Sequence, residues 1–99
     1  MDLKLQDKRV LITGSTSGIG EAIAKALAAE GAHVVIHGRR EAEAQRVVKE
    51  IEATGGRAAI SLGDLSIDRE AEQAAEQSLA AFGGIDILVN NAGACPETP

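Results

Sequence analysis

The chain has 99 residues and, among the large aromatics, only Phe82, with no Trp and no Tyr. Without Tyr there is no phenol to give or take a proton. One cysteine, Cys95, excludes an internal disulfide and suits a reducing cytoplasm. It sits in the tail Ala94-Cys95-Pro96 with no base nearby in sequence, and reads as an incidental thiol rather than a nucleophile. Basic residues are outnumbered, 10 to 15, for a net charge of -5, and are dispersed apart from Arg39-Arg40. No basic stripe is present to neutralise phosphates, so nucleic acid is not an expected partner. No apolar run approaches membrane-spanning length, and Met1 to Lys8 lacks the apolar core of a secretory leader. The expectation is a cytoplasmic protein without membrane contact. His33 and His37 stand without clustered partners and read as structural, and no metal site is expected.

What is present is an ordinary globular mixture, 44% hydrophobic and 25% charged, enough for one small domain spanning residues 1–99. Four apolar runs predict strands: Val10 to Ile12, Val34 to Ile36, Ala58 to Leu62 and Ile85 to Val89. Most are continuous rather than alternating, which suits strands of a parallel sheet covered on both faces. Three helical patterns separate them. The first puts Ile19, Ala22, Ile23, Ala26 and Leu27 on one face and stops before Gly31; Glu21 and Lys25 form an i,i+4 pair on it. The second puts Ala44, Val47, Val48 and Ile51 on one face and ends at Gly55-Gly56. The third puts Ala71, Ala74, Ala75, Leu79 and Phe82 together, capped by Ser66 and stopped by Gly83-Gly84. The resulting βαβαβαβ order predicts an α/β fold, a doubly wound parallel sheet of the Rossmann type with strand order 3-2-1-4.

The first strand runs into Gly14-Ser15-Thr16-Ser17-Gly18-Ile19-Gly20 and then directly into a helix. The first N–H groups of a helix lack intrahelical partners and carry the positive end of its dipole, so they attract phosphate. Gly14 allows the sharp turn, Gly18 leaves room for a pyrophosphate, and Gly20 lets helix and sheet pack closely. The hydroxyls of Ser15, Thr16 and Ser17 can cap the helix or bond phosphate oxygens. Without a ligand the same segment would be a glycine-rich strand-to-helix turn.

In such a fold the residue ending the second strand, about 20 positions beyond the glycines, reads the adenosine ribose. This chain offers Ile36-His37-Gly38-Arg39-Arg40, with no carboxylate until Glu41. A guanidinium suits a 2′-phosphate and stacks on adenine, so Arg39, with Arg40 second, points to NADP over NAD. The other reading is two solvated arginines opening a helix. After the third strand, Asp64 in Gly63-Asp64-Leu65-Ser66 can accept from the adenine amino group or simply shape its turn. Asn90-Asn91-Ala92-Gly93 ends the fourth strand, beside the switch between first and fourth strands where ligands sit. Its amides can tie strand ends together or meet a ribose.

Taken together these residues resemble the short-chain dehydrogenase/reductase family, along essentially the whole chain. The likeness rests on Thr13-Gly14-x-x-x-Gly18-Ile19-Gly20, on Asp64 after the third strand, and on Asn90-Asn91-Ala92-Gly93 after the fourth. It implies a nicotinamide cofactor, with Gly14, Ser15, Thr16, Ser17, Gly18 and Ile19 around the pyrophosphate and Asp64 and Leu65 at the adenine. It places Asn91, Ala92 and Gly93 along the ribose and leaves Asn90 holding strands together. Gly38-Arg39 looks like the NADP-preferring branch. In that family a Tyr-x-x-x-Lys pair, a preceding Ser and a further Asn perform the proton transfer, later in the chain, and no such positions exist here. The resemblance therefore implies the N-terminal, cofactor-binding part of an NADP-dependent oxidoreductase of carbonyl or hydroxy compounds, inert alone, that self-associates or lacks a C-terminal half. A second class is a non-catalytic nucleotide-binding module, free-standing or completed by another chain. A third is a Rossmann-like module for another adenosine ligand, which the Asn90 to Gly93 segment disfavours.

Overall fold

In the computed structural model, residues 4–91 are described; Ala92, Gly93 and Cys95 lie outside them. The elements alternate as β1 (Arg9–Ile12), α1 (Gly18–Ala29), β2 (His33–Gly38), α2 (Glu41–Ala53), β3 (Arg57–Leu62), α3 (Asp68–Ala81) and β4 (Ile87–Val89). All pairings are parallel and the sheet order is β3-β2-β1-β4, as the alternation predicts. Val10 pairs with Val34 on one side and Ile87 on the other, so β1 is interior. Every strand therefore ends on the same edge of the sheet.

Alternate residues of the strands face opposite layers. Val10, Ile12, Val34 and Ile36 are fully buried with Ala24 and Ala28 of α1 and Ala44, Val47 and Ile51 of α2. That makes one apolar core between the sheet and two helices. α3 covers the other face over β3 and β2, where Val35, Ala74, Ser61 and Ser78 are buried.

Four expectations need correcting. The buried stripe of α1 is Gly20, Ala24 and Ala28, with Ile23 and Leu27 half-buried beside it and Ile19 74% exposed. Small residues turn inward because they let the helix lie close on the strands. In α3 the inward residues are Ala74 and Ser78, while Ala75 and Leu79 are exposed. There the hydroxyls set the phase: Ser61 Oγ donates to the Ala74 carbonyl at 2.7 Å and Ser78 Oγ to the same oxygen at 2.8 Å. Ser66 does not cap α3, whose N-cap is Ile67; its hydroxyl instead donates to Asp64 Oδ1 at 2.7 Å. Finally, β4 begins at Ile87 rather than Ile85. Just before it, the Asp86 carboxylate takes the Arg9 N–H at 2.8 Å and grips the Arg9 guanidinium at 2.9 and 3.0 Å.

Candidate functional site

The C-terminal ends of the four strands bring together Thr13 to Gly20, His37 to Arg40, Gly63 to Leu65, and Asn90 and Asn91. Gly14 turns the chain with φ +62, in the left-handed region that favours glycine. At Gly20 a Cβ would run into the Gly14 carbonyl and come within 2.7 Å of Asn91 Nδ2. The first helical bond of α1 runs from Glu21 N–H to the Ser17 carbonyl at 3.2 Å. The N–H groups just before Glu21 thus belong to the open end of the helix, with its positive dipole behind them.

The three hydroxyls of the turn divide. Ser15 is fully buried and its Oγ accepts the His37 N–H at 2.8 Å, so it faces the strands and not the cleft. Ser17 stands at the N-cap in extended conformation, without a side-chain cap bond, and is exposed. Thr16 packs against the end of β2: a Cβ on Gly38 would meet its Cγ2 at 2.5 Å. Thr16 and Ser17 line an open cavity of about 330 Å³ with Arg39, Arg40 and Glu43.

Arg39 reaches across from the end of β2 toward the loop after β3, Nη1 lying 3.7 Å from Asp64 Oδ2. Asp64 Oδ1 is taken by the Ser66 hydroxyl and N–H, and these bonds, with the Arg39 charge, hold its carboxyl below the usual range. Its N–H donates to Glu70 Oε1 at 2.8 Å. Asp64 thus shapes its own turn with one oxygen and leaves the other toward the cleft, and Leu65 beside it is 39% exposed. Just after β4, Asn91 Nδ2 donates to the Gly14 carbonyl at 3.0 Å and its N–H to Thr13 Oγ1 at 2.9 Å. Thr13 Oγ1 donates to Asn90 Oδ1 at 3.2 Å. Both asparagines therefore fasten β4 to the glycine turn.

Two residues at the site carry no local sequence signal for their roles. His37, 4% exposed, accepts the Gly14 N–H on Nδ1 at 3.0 Å and sets Nε2 2.9 Å from the Gly63 carbonyl. Burial pushes its imidazole below the ordinary range, against the pull of the Gly63 carbonyl. Arg46 of α2 donates to the Thr16 carbonyl at 3.0 Å and to Glu21 at 3.1 Å. Glu21, bonded by Arg46 and Lys25, is held down to about 2, and Glu50 joins both cations. The expected Glu21–Lys25 pair is present, at 2.7 Å, inside this larger network. Among the described residues no group of three or more His, Cys, Asp or Glu could hold a metal ion, and no helix is long and apolar enough to cross a membrane.

Residues 8–99 match the short chain dehydrogenase family. The chain belongs to that family. It is 45% identical over 89 residues to the D-beta-hydroxybutyrate dehydrogenase of Cupriavidus necator, covering 90% of this chain and 34% of that protein. A short chain dehydrogenase from Burkholderia cenocepacia in complex with NADP superposes with a TM-score of 0.82 at 47% identity, over 95% of this chain and 39% of that one. A 7-alpha-hydroxysteroid dehydrogenase complexed with NADH and 7-oxo glycochenodeoxycholic acid gives 0.85 at 37% identity, over 90% of this chain and 35% of that one. This short-chain dehydrogenase sequence thus spans between a third and two-fifths of the relatives it matches. As a member of that family it carries the Rossmann-type half-sheet on which nicotinamide cofactors bind.

Proposed function

We propose that residues 1–99 are the dinucleotide-binding part of an oxidoreductase that passes hydride between a nicotinamide cofactor and a carbonyl or alcohol, with NADP(H) preferred over NAD(H). One observation carries the preference. The cavity beyond the end of β2 is lined by Thr16, Ser17, Arg39 and Arg40, two hydroxyls and two guanidiniums. Its one carboxylate, Glu43, is paired with Arg46 at 3.4 Å. That donor set suits a doubly charged 2′-phosphate better than a ribose hydroxyl.

The rest of the nucleotide fits the same edge. The helix-end N–H groups with Thr16, Ser17 and Gly18 receive the pyrophosphate, and the exposed Ile19 lies against it. The buried Ser15 serves by holding the turn. Asp64, through Oδ2, and Leu65 border the adenine, and Asn91, Ala92 and Gly93 run along the ribose. When bound, the nicotinamide supplies the hydride chemistry. These residues bind and orient it. With no Tyr among them, they offer no phenol to protonate a substrate oxygen, and alone they are expected to bind cofactor without turnover. We place the protein in the reducing cytoplasm, consistent with its single thiol, and expect β4 to be covered by further chain or by a second copy.

The test is a titration of NADP⁺ and NAD⁺ into the protein at its full natural length and into Arg39→Gln. The expected loss is ~1.5–3 kcal/mol for NADP⁺, with little change for NAD⁺. Equal losses for the two dinucleotides would remove Arg39 from the 2′-phosphate site. Binding without turnover at full length, over a panel of carbonyls and alcohols, would favour a non-catalytic nucleotide module instead.

A further inference from the structure

His37 stands next to the end of β2 and touches both neighbouring loops. Its Nδ1 accepts from Gly14 N–H in the glycine turn, and its Nε2 meets the carbonyl of Gly63 beside Asp64. A carbonyl can only accept, so Nε2 carries the hydrogen and Nδ1 the lone pair. A single tautomer of the neutral ring satisfies both contacts. The His37 backbone is fastened to the same turn, its carbonyl accepting Ser15 N–H at 2.8 Å.

We propose that His37 is a positioning residue for the bound dinucleotide: as neutral imidazole it locks the Gly14–Ser15 turn to the Gly63–Asp64 loop, and as imidazolium it lets the turn go. The proposal rests on the cofactor site above and holds for NADP and NAD alike. Protonation puts a hydrogen on Nδ1, facing the Gly14 N–H, so donor meets donor and the bond is lost. Gly14 then keeps its left-handed conformation without that anchor, one residue from the buried Ser15 hydroxyl.

No other group in the first turn titrates, since Thr13 to Gly20 has no ionisable side chain, and neither do Ser61 to Gly63 or Asn90 and Asn91. The charges on the adjoining segments are Arg39 and Asp64, which face each other, Arg40 beside Arg39, and Glu70 of α3, which accepts the Asp64 N–H. The buried ring resists charging. Binding is therefore complete above the ordinary histidine range and fades as pH falls through the lowered one.

The experiment uses the protein at its full natural length, wild type, His37→Asn, His37→Leu and Glu70→Gln. Dissociation constants for NADP⁺ and NAD⁺ are measured from about pH 8 to about pH 5, and the Gly14 amide resonance is followed over the same range. Wild type should weaken about three- to tenfold for both dinucleotides, with the Gly14 resonance moving at the same midpoint. His37→Asn keeps an acceptor near the Nδ1 position and does not titrate. It should bind within about threefold of wild type at the upper pH and lose the acid limb. His37→Leu should bind weakly at every pH, and Glu70→Gln should keep the limb. An acid limb that survives in His37→Asn, or a Gly14 resonance indifferent to pH in protein that binds cofactor, overturns the role given to His37. Failure of wild type to bind either dinucleotide at the upper pH overturns the cofactor site itself, so the two failures are told apart.

Discussion

On one face of the sheet, Val10, Ile12, Val34 and Ile36 meet α1 and α2 with no exposed surface at all. On the other, α3 lies over β3 and β2 through Ala74, Ser61 and Ser78, and Leu88 and Leu79 stand 60% and 55% exposed. The first face is held by the volume of branched side chains, the second by small residues and two hydroxyls that both donate to the Ala74 carbonyl. Volume tolerates little loss, whereas hydroxyl bonding fixes where a helix sits without contributing much apolar burial. His37 and Ser61, neighbours in register on β2 and β3, put the second kind of material directly beneath the candidate site.

The contrast is broken most strongly by truncating the packed side. In the 99-residue chain Ile36→Ala should cost about 2–5 kcal/mol in urea denaturation, while Leu88→Ala on the other face should cost less than about 0.5 kcal/mol. Comparable losses would mean that the two faces are not built differently. Ser61→Ala tests the hydroxyl side: about 1 kcal/mol is expected, with no cavity large enough to add more. A loss as large as that of Ile36→Ala would assign α3 a packing role that its small residues do not suggest.

The outer surface of the packed face supplies a pH handle. Glu21 is held down to about 2 by Arg46 and Lys25, well below the ordinary carboxylate range. Its folded form binds the proton less readily than its unfolded form, so its contribution is complete above about pH 4.5 and disappears as pH falls toward 2. Because the side chains of Lys25 and Arg46 are more than a third exposed, that contribution is about 1 kcal/mol or less. Glu21→Gln should lose this increment at neutral pH and flatten the acid limb between those limits, as read from thermal melts. The smallest effect on stability belongs to Leu88→Lys, which should leave the melt unchanged. In the 99-residue chain it should nonetheless reduce self-association measured by light scattering, since among the described residues β4 has an unpaired edge and an exposed apolar residue. Association unaffected by the charge would move the contact elsewhere.

How much of this was legible beforehand follows the same division. The continuous runs Val10 to Ile12 and Val34 to Ile36, with Val47 and Ile51 at helical spacing, announce the packed face and the strand order, because large apolar residues signal burial directly. On α1 and α3 the large residues Ile19 and Leu79 point to the wrong face: Ala24, Ala28 and Ser78 turn inward, beside Gly20 and Ala74, whose inward place the sequence does mark. Small residues bury little area and give weak periodicity, although they decide how closely a helix approaches. The glycine turn, Arg39 and Asp64 are recognisable from local spacing. His37 and Arg46 are not, since their partners at Gly14, Gly63, Thr16 and Glu21 lie 23 to 30 residues away and meet only in three dimensions.

Arg9 leaves the ribosome long before Asp86, whose carboxylate receives its N–H across a separation of 77 residues. At about 5–20 residues per second the interval is roughly 4–15 s, ample time for β1, β2 and β3 to assemble on α1 and α2. Through that interval the outer edge of β1 has no strand beside it, and a nascent chain carries that open edge in a crowded cell. The pairing with β4 that finally closes it starts at a guanidinium and a carboxylate, so the waiting edge begins at a charge. A charge at the end of an unpaired strand discourages a neighbouring chain from adding its own strand there. The Arg9 charge thus guards the edge of the unfinished sheet until Asp86 arrives to pair with it.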